Sequence, residues 1–216
     1  MRKRLFDLAV ASAGLVLLTP VFLIIGVLIK LDTPGPVFYL GDRIGKDGRP
    51  FKMFKFRTMV VHADQMGSAL THGGDPRVTH MGQILRKWKL DEVPQLINIL
   101  RGEMSLVGPR PEAQVYVAYY TPEQRQVLTV KPGMTGLTQI RYRHEETLLS
   151  QCTNREEEYI RTIMPQKLAL DLEYIENRSF LSDLDLIVQT FVAVLGPDEA
   201  SEGAAGVSET PAVRDG

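Results

Sequence analysis

The chain has 216 residues, of which 44% are hydrophobic and 24% charged, so it is long enough for one folded domain with an accessory segment and too apolar to be disordered. Its single cysteine, Cys152, excludes an intrachain disulfide and any metal site built from several cysteines. The net charge of −1 hides a basic middle, because residues 31–110 hold 12 Lys and Arg against 8 Asp and Glu. Such an excess suits a phosphorylated ligand or an anionic membrane surface, and a solvated face explains it equally well.

The N-terminal segment runs from Leu8 to Ile29 without a charged residue. As an α-helix it would be about 33 Å long, close to the hydrocarbon thickness of a bilayer. Basic residues flank both of its ends, so a straight span has no preferred orientation. Near the middle, Pro20 predicts a kink, and the hydroxyl of Thr19 can satisfy the carbonyl that a proline frees. We therefore predict that residues 1–32 form a re-entrant membrane helix that enters and leaves by one leaflet. A straight span and a signal peptide are the alternatives.

Residues 33–195 are predicted to form one compact catalytic domain on one face of the membrane, of the α/β class, mostly helical with a small β-hairpin. The hairpin follows a rigid turn at residues 33–36 and uses the stretches VFYL and PFKMFKFRTM. The glycines of KPGMTGLTQI predict a loop that leads into a short strand. Residues 196–216 lack core-forming side chains and are predicted to be a disordered tail. Helices are predicted over 81–89, over 92–101, after Pro111, after Thr121, and over 155–195 with an interruption near 177–182.

The octapeptide KLDEVPQL at residues 89–96 places two adjacent acids, Asp91 and Glu92, between a basic and an apolar stretch. One interpretation is a helix start, with Asp91 as the N-cap and Glu92 in the first turn. The other is a catalytic pair. These residues alone leave both interpretations open.

A second motif, GPRP at residues 108–111, restricts the backbone on both sides of Arg110. A guanidinium presented with so little conformational freedom suits bidentate binding of a phosphate, although an arginine-bearing turn is the simpler explanation. A basic set that would complement a diphosphate consists of Lys55, Arg57, Arg77, Arg86 and Lys87. The sequence has no P-loop, no dinucleotide-binding glycine motif and no HExxH, which disfavours the enzyme classes that use them.

Six segments of the sequence resemble, in order, the motifs of the bacterial sugar transferases, the small monotopic phosphoglycosyl transferases. These segments are KRLFDL, PGPVFY, FKFRTM, LDEVPQL, SLVGPRP and KPGMTGLTQI. The resemblance covers about residues 2–195. It implies transfer of a sugar 1-phosphate from a UDP-sugar to a polyprenyl (undecaprenyl) phosphate with release of UMP. Such a reaction starts the synthesis of an exopolysaccharide, capsule, O-antigen or glycoprotein glycan. It also implies an enzyme at the bacterial inner membrane whose active site faces the cytoplasm.

The resemblance further implies roles for individual residues. Asp91 matches the nucleophile that forms an aspartyl phospho-sugar, and Glu92 supports an essential Mg²⁺, with Asp91 and Asp171 as further metal-ligand candidates. Arg110 matches the phosphate-binding arginine. Two departures from the family pattern are Thr19-Pro20 in place of Ser-Pro, and the basic loop that begins at Arg141, which is expected to touch the nucleotide or sugar. The candidate substrate-binding residues are Lys55, Arg57, Arg86, Arg110 and Arg141.

The expected partners are the UDP-sugar donor, the polyprenyl phosphate acceptor and membrane lipid, and no nucleic acid. A homo-oligomer and downstream glycosyltransferases are further candidate partners. A non-catalytic membrane adaptor that binds anionic lipid or a partner protein is the alternative from another class. Within the enzyme class, the alternative is direct transfer without a covalent intermediate.

Overall fold

The computed structural model describes residues 2–67 and 70–196, which fold into helices around two small two-stranded sheets. The prediction of a mostly helical protein with a small hairpin is confirmed. All but the first residue of the predicted tail lies outside the described residues. The strands are β1 Phe38–Ile44, β2 Pro50–Phe56, β3 Ser105–Val107 and β4 Gly133–Thr135. The helices are α1 Arg2–Asp32, α2 His80–Lys87, α3 Leu96–Arg101, α4 Gln114–Val117, α5 Leu137–Arg141, α6 Glu145–Ser150, α7 Arg155–Glu158, α8 Met164–Asn177 and α9 Phe180–Leu195.

Helix α1 is continuous through Pro20. The Thr19 hydroxyl donates to the carbonyl of Leu15 at 2.7 Å. The carbonyl that Pro20 frees belongs to Val16, one residue further along, because a helical N–H bonds four residues back. The hydroxyl therefore supports the carbonyl beside the freed one and not the freed one itself, which corrects the expectation from the sequence.

One stripe of α1 packs on the rest of the protein along its whole length. Near its start, the buried Asp7 carboxylate accepts hydrogen bonds from Ser105 Oγ at 2.8 Å and from the Leu106 amide at 3.3 Å. At its end, Asp32 accepts from the Met81 amide at 3.0 Å. A helix of 31 residues is about 46 Å long. Because contacts near both of its ends bind it to the domain, α1 lies along the domain and does not project from it.

The opposite face of α1 is apolar and exposed. Among the described helices, α1 is the one long and apolar enough to cross a membrane, and only 11% of its most apolar stretch is buried within the protein. That fraction is too small for the core helix of a soluble domain. The exposed apolar side chains include Leu5, Val16, Leu17, Leu23, Ile24, Val27 and Leu31.

Three apolar clusters hold the domain together. The first joins α4 and α8 through Tyr116, Tyr159 and Leu168. A second packs α1 against α3, β3 and α9, with Ala11 and Ile99 fully buried. The third seats the last turns of α1 on β2 and α2. Its members are Ile25, Ile29, Phe56 and Leu85.

The two sheets differ in how far the sequence predicts them. The hairpin is confirmed, with β1 and β2 antiparallel and Gly41 opposite Met53. Strands β3 and β4 pair in parallel, and β3 was not predicted. Strand β4 lies where a loop was predicted, and the segment expected to form a short strand after it is helix α5. The predicted helix after Thr121 is a 3₁₀ turn, Gln124–Thr129, and α6 was likewise missed. The interruption predicted near 177–182 is confirmed between α8 and α9.

Candidate active site

The two adjacent acids lie in a 3₁₀ turn, Leu90–Gln95, that joins α2 to α3. The prediction of Asp91 as a helix N-cap is wrong, because it lies inside this turn and α3 begins only at Leu96. The residue before the turn, Lys89, has a left-handed backbone with φ of 54° and makes no side-chain capping bond. A non-glycine residue in that conformation is uncommon and is found at functional sites. A left-handed residue after the end of α2 thus leads into the turn that holds the acids.

Glu92 is held by two cations from different parts of the fold. Lys55 of β2 donates to Glu92 Oε1 at 2.8 Å. Arg110 donates to the same oxygen at 2.8 Å and reaches Oε2 at 3.4 Å. The Glu92 side chain is only 13% exposed, so these bonds form in a largely water-excluded place where charge-assisted contacts are strong. The structure thus brings Lys55 and Arg110, two candidate substrate-binding residues, together at Glu92, a contact that the sequence did not predict.

Asp91 has a different environment from its neighbour. Its side chain is buried, and Oδ1 has no hydrogen-bond partner among the described residues. A buried carboxylate oxygen without a donor is costly, and most such groups in proteins have a partner. This atom is therefore poised for something that the protein itself does not supply, such as a cation or a reacting atom.

Burial raises the pKa of Asp91, and the nearby cations Lys55, Arg86 and Lys89 oppose that rise. Burial also raises the pKa of Glu92, but Arg110 and Lys55 outweigh it and hold that pKa well below its usual range. Two acids adjacent in sequence are thus pushed in opposite directions. That division is the usual sign of different chemical roles.

The chain positions these groups with a buried polar residue of α3. Asn98 accepts from the Phe54 amide at 2.9 Å and donates to the Lys52 carbonyl at 2.7 Å. It also donates to Glu103 at 2.7 Å. Because Asn98 ties α3 to β2, it fixes the distance between Lys55 and the acidic turn.

A close approach of two backbones fixes the GPRP segment. A Cβ on Gly108 would lie 2.6 Å from the Lys131 carbonyl and 2.9 Å from the Gly133 amide, so only glycine fits. The Gly108 amide donates to the Thr135 carbonyl at 3.0 Å, and the Gly133 amide donates to the Pro109 carbonyl at 2.8 Å. Through these bonds, β4 anchors the segment that contains Arg110.

A buried polar chain lies behind Arg110. Glu112 accepts a hydrogen bond from the Tyr159 hydroxyl, and Lys167 donates to both oxygens of Glu145 at 3.0 and 2.9 Å. Tyr159 opens a π-helical turn, Tyr159–Ile163, a local distortion that is frequent at functional sites. The sequence analysis did not single out these residues, because their significance comes from contacts between distant segments.

The structure does not gather every predicted substrate-binding residue. The terminal nitrogens of Arg57 donate to the carbonyls of Thr33 and Pro34, so its guanidinium holds the turn after α1. Arg86 donates to Thr58 Oγ1 and to Glu146 Oε1, both at 3.0 Å. Arg141 is exposed at the end of α5. Of the three, Arg86 adjoins the acids, Arg57 has a structural role, and Arg141 shows no contact with the Asp91–Glu92 turn.

Asp171, a candidate metal ligand, and Arg77, a member of the predicted basic set, are each bound to a neighbouring side chain of the fold. Asp171 is buried in α8, where its Oδ1 accepts from Thr138 Oγ1 at 3.0 Å, and burial raises its pKa to about 7. Arg77 donates to both oxygens of Asp75 and shapes the loop before α2. The described residues contain no group of three or more His, Cys, Asp or Glu that could hold a metal ion, so Asp171 does not join Asp91 and Glu92 in a three-acid cage.

A polar cavity of about 330 Å³ adjoins the acidic turn. Arg86 and Lys89 form part of its lining, as do Arg143 and His144 from the segment between α5 and α6. Sequence reasoning pointed to this segment through Arg141, whereas the residue that reaches the cavity is Arg143. Lys89 was missed, although its place two residues before Asp91 was the available signal.

Comparison with known proteins decides the family. The family model described as bacterial sugar transferase matches residues 1–197. The chain belongs to the bacterial sugar transferase family. This confirms the resemblance seen in the sequence motifs, and the match extends over α1 and every described strand and helix.

The relatives match most of this chain, which spans between 43% and 85% of the length of the three named here. The chain is 38% identical to the UDP-glucose:undecaprenyl-phosphate glucose-1-phosphate transferase of Caulobacter vibrioides, over 93% of this chain and 72% of that protein. It is also 38% identical to the exopolysaccharide production protein ExoY of Rhizobium meliloti, over 90% of this chain and 85% of that protein. A UDP-N-acetylgalactosamine-undecaprenyl-phosphate N-acetylgalactosaminephosphotransferase of Aeromonas hydrophila is 35% identical over 89% of this chain and 43% of that protein.

Proposed function

We propose that this protein transfers a sugar 1-phosphate from a UDP-sugar to undecaprenyl phosphate and releases UMP, as an early step of exopolysaccharide synthesis. The observation that carries the proposal is the buried Asp91, whose Oδ1 lacks a partner, beside a Glu92 that is already bound by Lys55 and Arg110. The names of the relatives agree with this reaction, since they describe undecaprenyl-phosphate sugar phosphotransferases and an exopolysaccharide production protein. Those names include both a glucose and an N-acetylgalactosamine donor, so the identity of the sugar stays open.

In the proposed mechanism, a carboxylate oxygen of Asp91 attacks the β-phosphorus of the donor. A bond forms between that oxygen and the phosphorus, the bond from the phosphorus to the bridging oxygen breaks, and UMP leaves with the electron pair. The phosphate oxygen of the lipid acceptor then attacks the same phosphorus, which releases Asp91 as a carboxylate and yields a polyprenyl diphosphate sugar. A covalent intermediate lets a soluble donor and a lipid acceptor use one small site in turn.

The cations around Asp91 supply the electrostatics of this reaction. A carboxylate is a weak nucleophile towards an anionic phosphorus, so the charge of the diphosphate has to be balanced and its position fixed. Arg110 presents a rigid fork that suits phosphate, and Lys55 is a second donor within the same largely buried cluster. Glu92 orients both cations while the donor is absent. It therefore acts as the scaffold of the phosphate site, and Asp91 remains the nucleophile.

The cluster also fits Mg²⁺, which we propose as a cofactor. Mg²⁺ in proteins is commonly bound by one or two carboxylates together with substrate phosphates. Asp91 Oδ1 has no partner, and Glu92 Oε2 accepts only a long contact of 3.4 Å, so each acid offers a hard oxygen. When bound, Mg²⁺ would neutralise phosphate charge. A test independent of activity is Mn²⁺ binding followed by electron paramagnetic resonance, which Glu92→Gln should weaken.

We further propose that the protein is monotopic and lies at the cytoplasmic face of the bacterial inner membrane. Both ends of α1 bind the same domain, through Asp7 at one end and Asp32 at the other, while its outer face is exposed and apolar. A straight span would separate these ends by the thickness of the bilayer. A helix that stays with the domain on one side of the membrane keeps the domain at the membrane surface. The phosphate of the lipid acceptor lies at that surface.

The test of the proposed reaction is UMP release across a panel of UDP-sugars, with purified protein and undecaprenyl phosphate. We expect release with at least one donor and its loss in Asp91→Asn. Asp42→Asn, on an exposed acid of β1, is the matched control and should keep the activity. Equal UMP release by wild type and Asp91→Asn would contradict the proposal. The non-catalytic adaptor predicts instead that no UDP-sugar is turned over, that Asp91 and Glu92 are dispensable, and that binding depends mainly on the salt concentration.

A further inference from the structure

The cavity beside the acidic turn has the size and the composition of a small-molecule site. Its volume of about 330 Å³ falls within the range of roughly 300–1,000 Å³ that such sites occupy. Val78 is the one large apolar side chain in the lining, and the other side chains are mostly polar or charged. A polyprenyl chain needs an apolar path to the bilayer, so this lining suits a water-soluble ligand.

The charges in the lining favour an anion. The two acids of the cavity are already neutralised, Asp75 by Arg77 at 2.6 Å and Glu146 by Arg86 at 3.0 Å. Lys89 also lines the cavity and makes no ion pair with any described residue. The remaining charge of the lining is therefore positive, and Lys87 and Lys89 contribute to it. Such a charge attracts phosphate oxygens.

The positive wall is continuous with the acidic turn. The Lys89 amide donates to the Arg86 carbonyl at 3.1 Å, and the Glu92 amide donates to the Lys89 carbonyl at 3.3 Å. Two successive hydrogen-bonded turns thus join the cavity lining to Asp91 and Glu92. The left-handed backbone of Lys89, with φ of 54°, is the point at which the chain passes from the cavity wall to the acids.

We propose that this cavity binds the nucleoside diphosphate part of the donor, with a phosphate at Lys89, where the cavity meets the turn that holds Asp91 and Glu92. The nucleoside then lies among the polar side chains of His72, Gln83 and Thr147, which can bond ribose hydroxyls and base edges. The inference rests on the proposed function. It assigns Lys89 a contact with the phosphates and gives the cavity to the donor, not to the acceptor.

The experiment titrates UDP into the full-length protein in detergent and measures the dissociation constant by calorimetry. The fluorescence of Trp88, the single tryptophan of the sequence and the neighbour of Lys89, is a second readout. Lys89→Gln should weaken UDP binding about ten- to hundredfold, because a charge-assisted phosphate contact is lost. Thr147→Tyr, at an exposed position of α6, should also weaken it by filling the cavity. Lys52→Gln, on an exposed lysine of β2, is the charge-matched control and should bind UDP as wild type does.

Steady-state kinetics separate the two possible sources of phosphate. The KM for the UDP-sugar should rise in Lys89→Gln and Thr147→Tyr, while the KM for undecaprenyl phosphate stays unchanged. Unaltered UDP binding in both variants would overturn the assignment of the cavity, even if wild-type UMP release and its loss in Asp91→Asn uphold the reaction. A rise in the KM for the lipid alone would overturn it as well, because the cavity would then serve the acceptor.

Discussion

Arg110 and Glu92 are 18 residues apart in sequence, yet the guanidinium donates to Glu92 Oε1 at 2.8 Å in a site that excludes most water. Glu92 raises the pKa of Arg110 further above its ordinary value, and Arg110 and Lys55 together hold the pKa of Glu92 low in spite of its burial. Both side chains therefore stay charged. The ion pair therefore holds the phosphate-binding guanidinium of Arg110 at Glu92, the neighbour of Asp91, before any substrate is present.

The first prediction concerns the guanidinium fork of Arg110. Arg110→Lys keeps the positive charge but loses the bidentate geometry, so kcat/KM for UMP release should fall about a hundredfold. The double variant with Glu92→Gln should show a coupling free energy of about 1–3 kcal/mol between the two positions, because they share one contact network. Arg49→Lys, on an exposed arginine before β2, is the control. An Arg110→Lys enzyme with the kcat/KM of wild type would show that the fork has no role.

The second prediction concerns the framework of the site. Asn98→Ala removes three buried side-chain hydrogen bonds between α3 and its surroundings, and it leaves the Phe54 amide without an acceptor. We expect a loss of about 2–3 kcal/mol in the free energy of unfolding, and a fall in Tm of roughly 5–10 °C. Asn177→Ala, at an exposed position at the end of α8, should change Tm little. Thermal unfolding in detergent measures both. Equal Tm values for Asn98→Ala and wild type would contradict the framework.

The core of the site was predictable from the sequence because its chemistry lies in short ordered motifs. The pairing of Asp91 with Glu92, the rigid presentation of Arg110 and the basic strand with Lys55 are all local features. The position of Asp91 inside a 3₁₀ turn was not predictable, since an acidic residue before Pro94 fits a helix N-cap equally well. In the structure, the left-handed Lys89 precedes the turn, so Asp91 lies inside the turn and not at the start of a helix. The backbone angle φ of Lys89 cannot be read from the sequence.

Arg57 and Arg141 show where residue type misleads. Both are arginines in the expected basic region, but Arg57 is used by the backbone carbonyls of the turn after α1. Arg141 ends a helix that leaves it exposed, while Arg143 reaches the cavity. The parallel pairing of β3 with β4 was missed for a similar reason, because it joins segments 28 residues apart that carry no alternating pattern. Tertiary contacts decide all three outcomes.

The third prediction uses the pKa of Asp171, which burial raises to about 7. The folded protein then binds more protons than the unfolded chain between about pH 4 and pH 7, so stability falls as pH rises through that window. Asp171→Asn keeps an acceptor for Thr138 without the buried charge. It should be more stable than wild type at pH 8 by on the order of 2–4 kcal/mol, and the difference should vanish near pH 4. A stability difference independent of pH would contradict the assignment of a buried, titrating carboxyl.

The fourth prediction concerns topology. In a Cys152→Ser background, we expect Arg2→Cys and Lys46→Cys to be labelled from the same side of the membrane by an impermeant maleimide, because both ends of α1 dock on one domain. Neither should react in intact cells, and both should react after the inner membrane is opened. Labelling of Arg2→Cys from outside and of Lys46→Cys only after opening would establish a straight span.

The covalent step is the central claim, and intact-protein mass spectrometry tests it most directly. Purified protein is incubated with its UDP-sugar in the absence of lipid acceptor. We expect one equivalent of UMP and a mass increase of one sugar phosphate on the protein, and addition of undecaprenyl phosphate should remove the added mass. Peptide mapping after digestion should place the adduct on the peptide that contains Asp91. Asp91→Asn should show neither product. Transfer to the lipid by an enzyme that never carries the adduct, or normal UMP release by Asp91→Asn, would contradict the account.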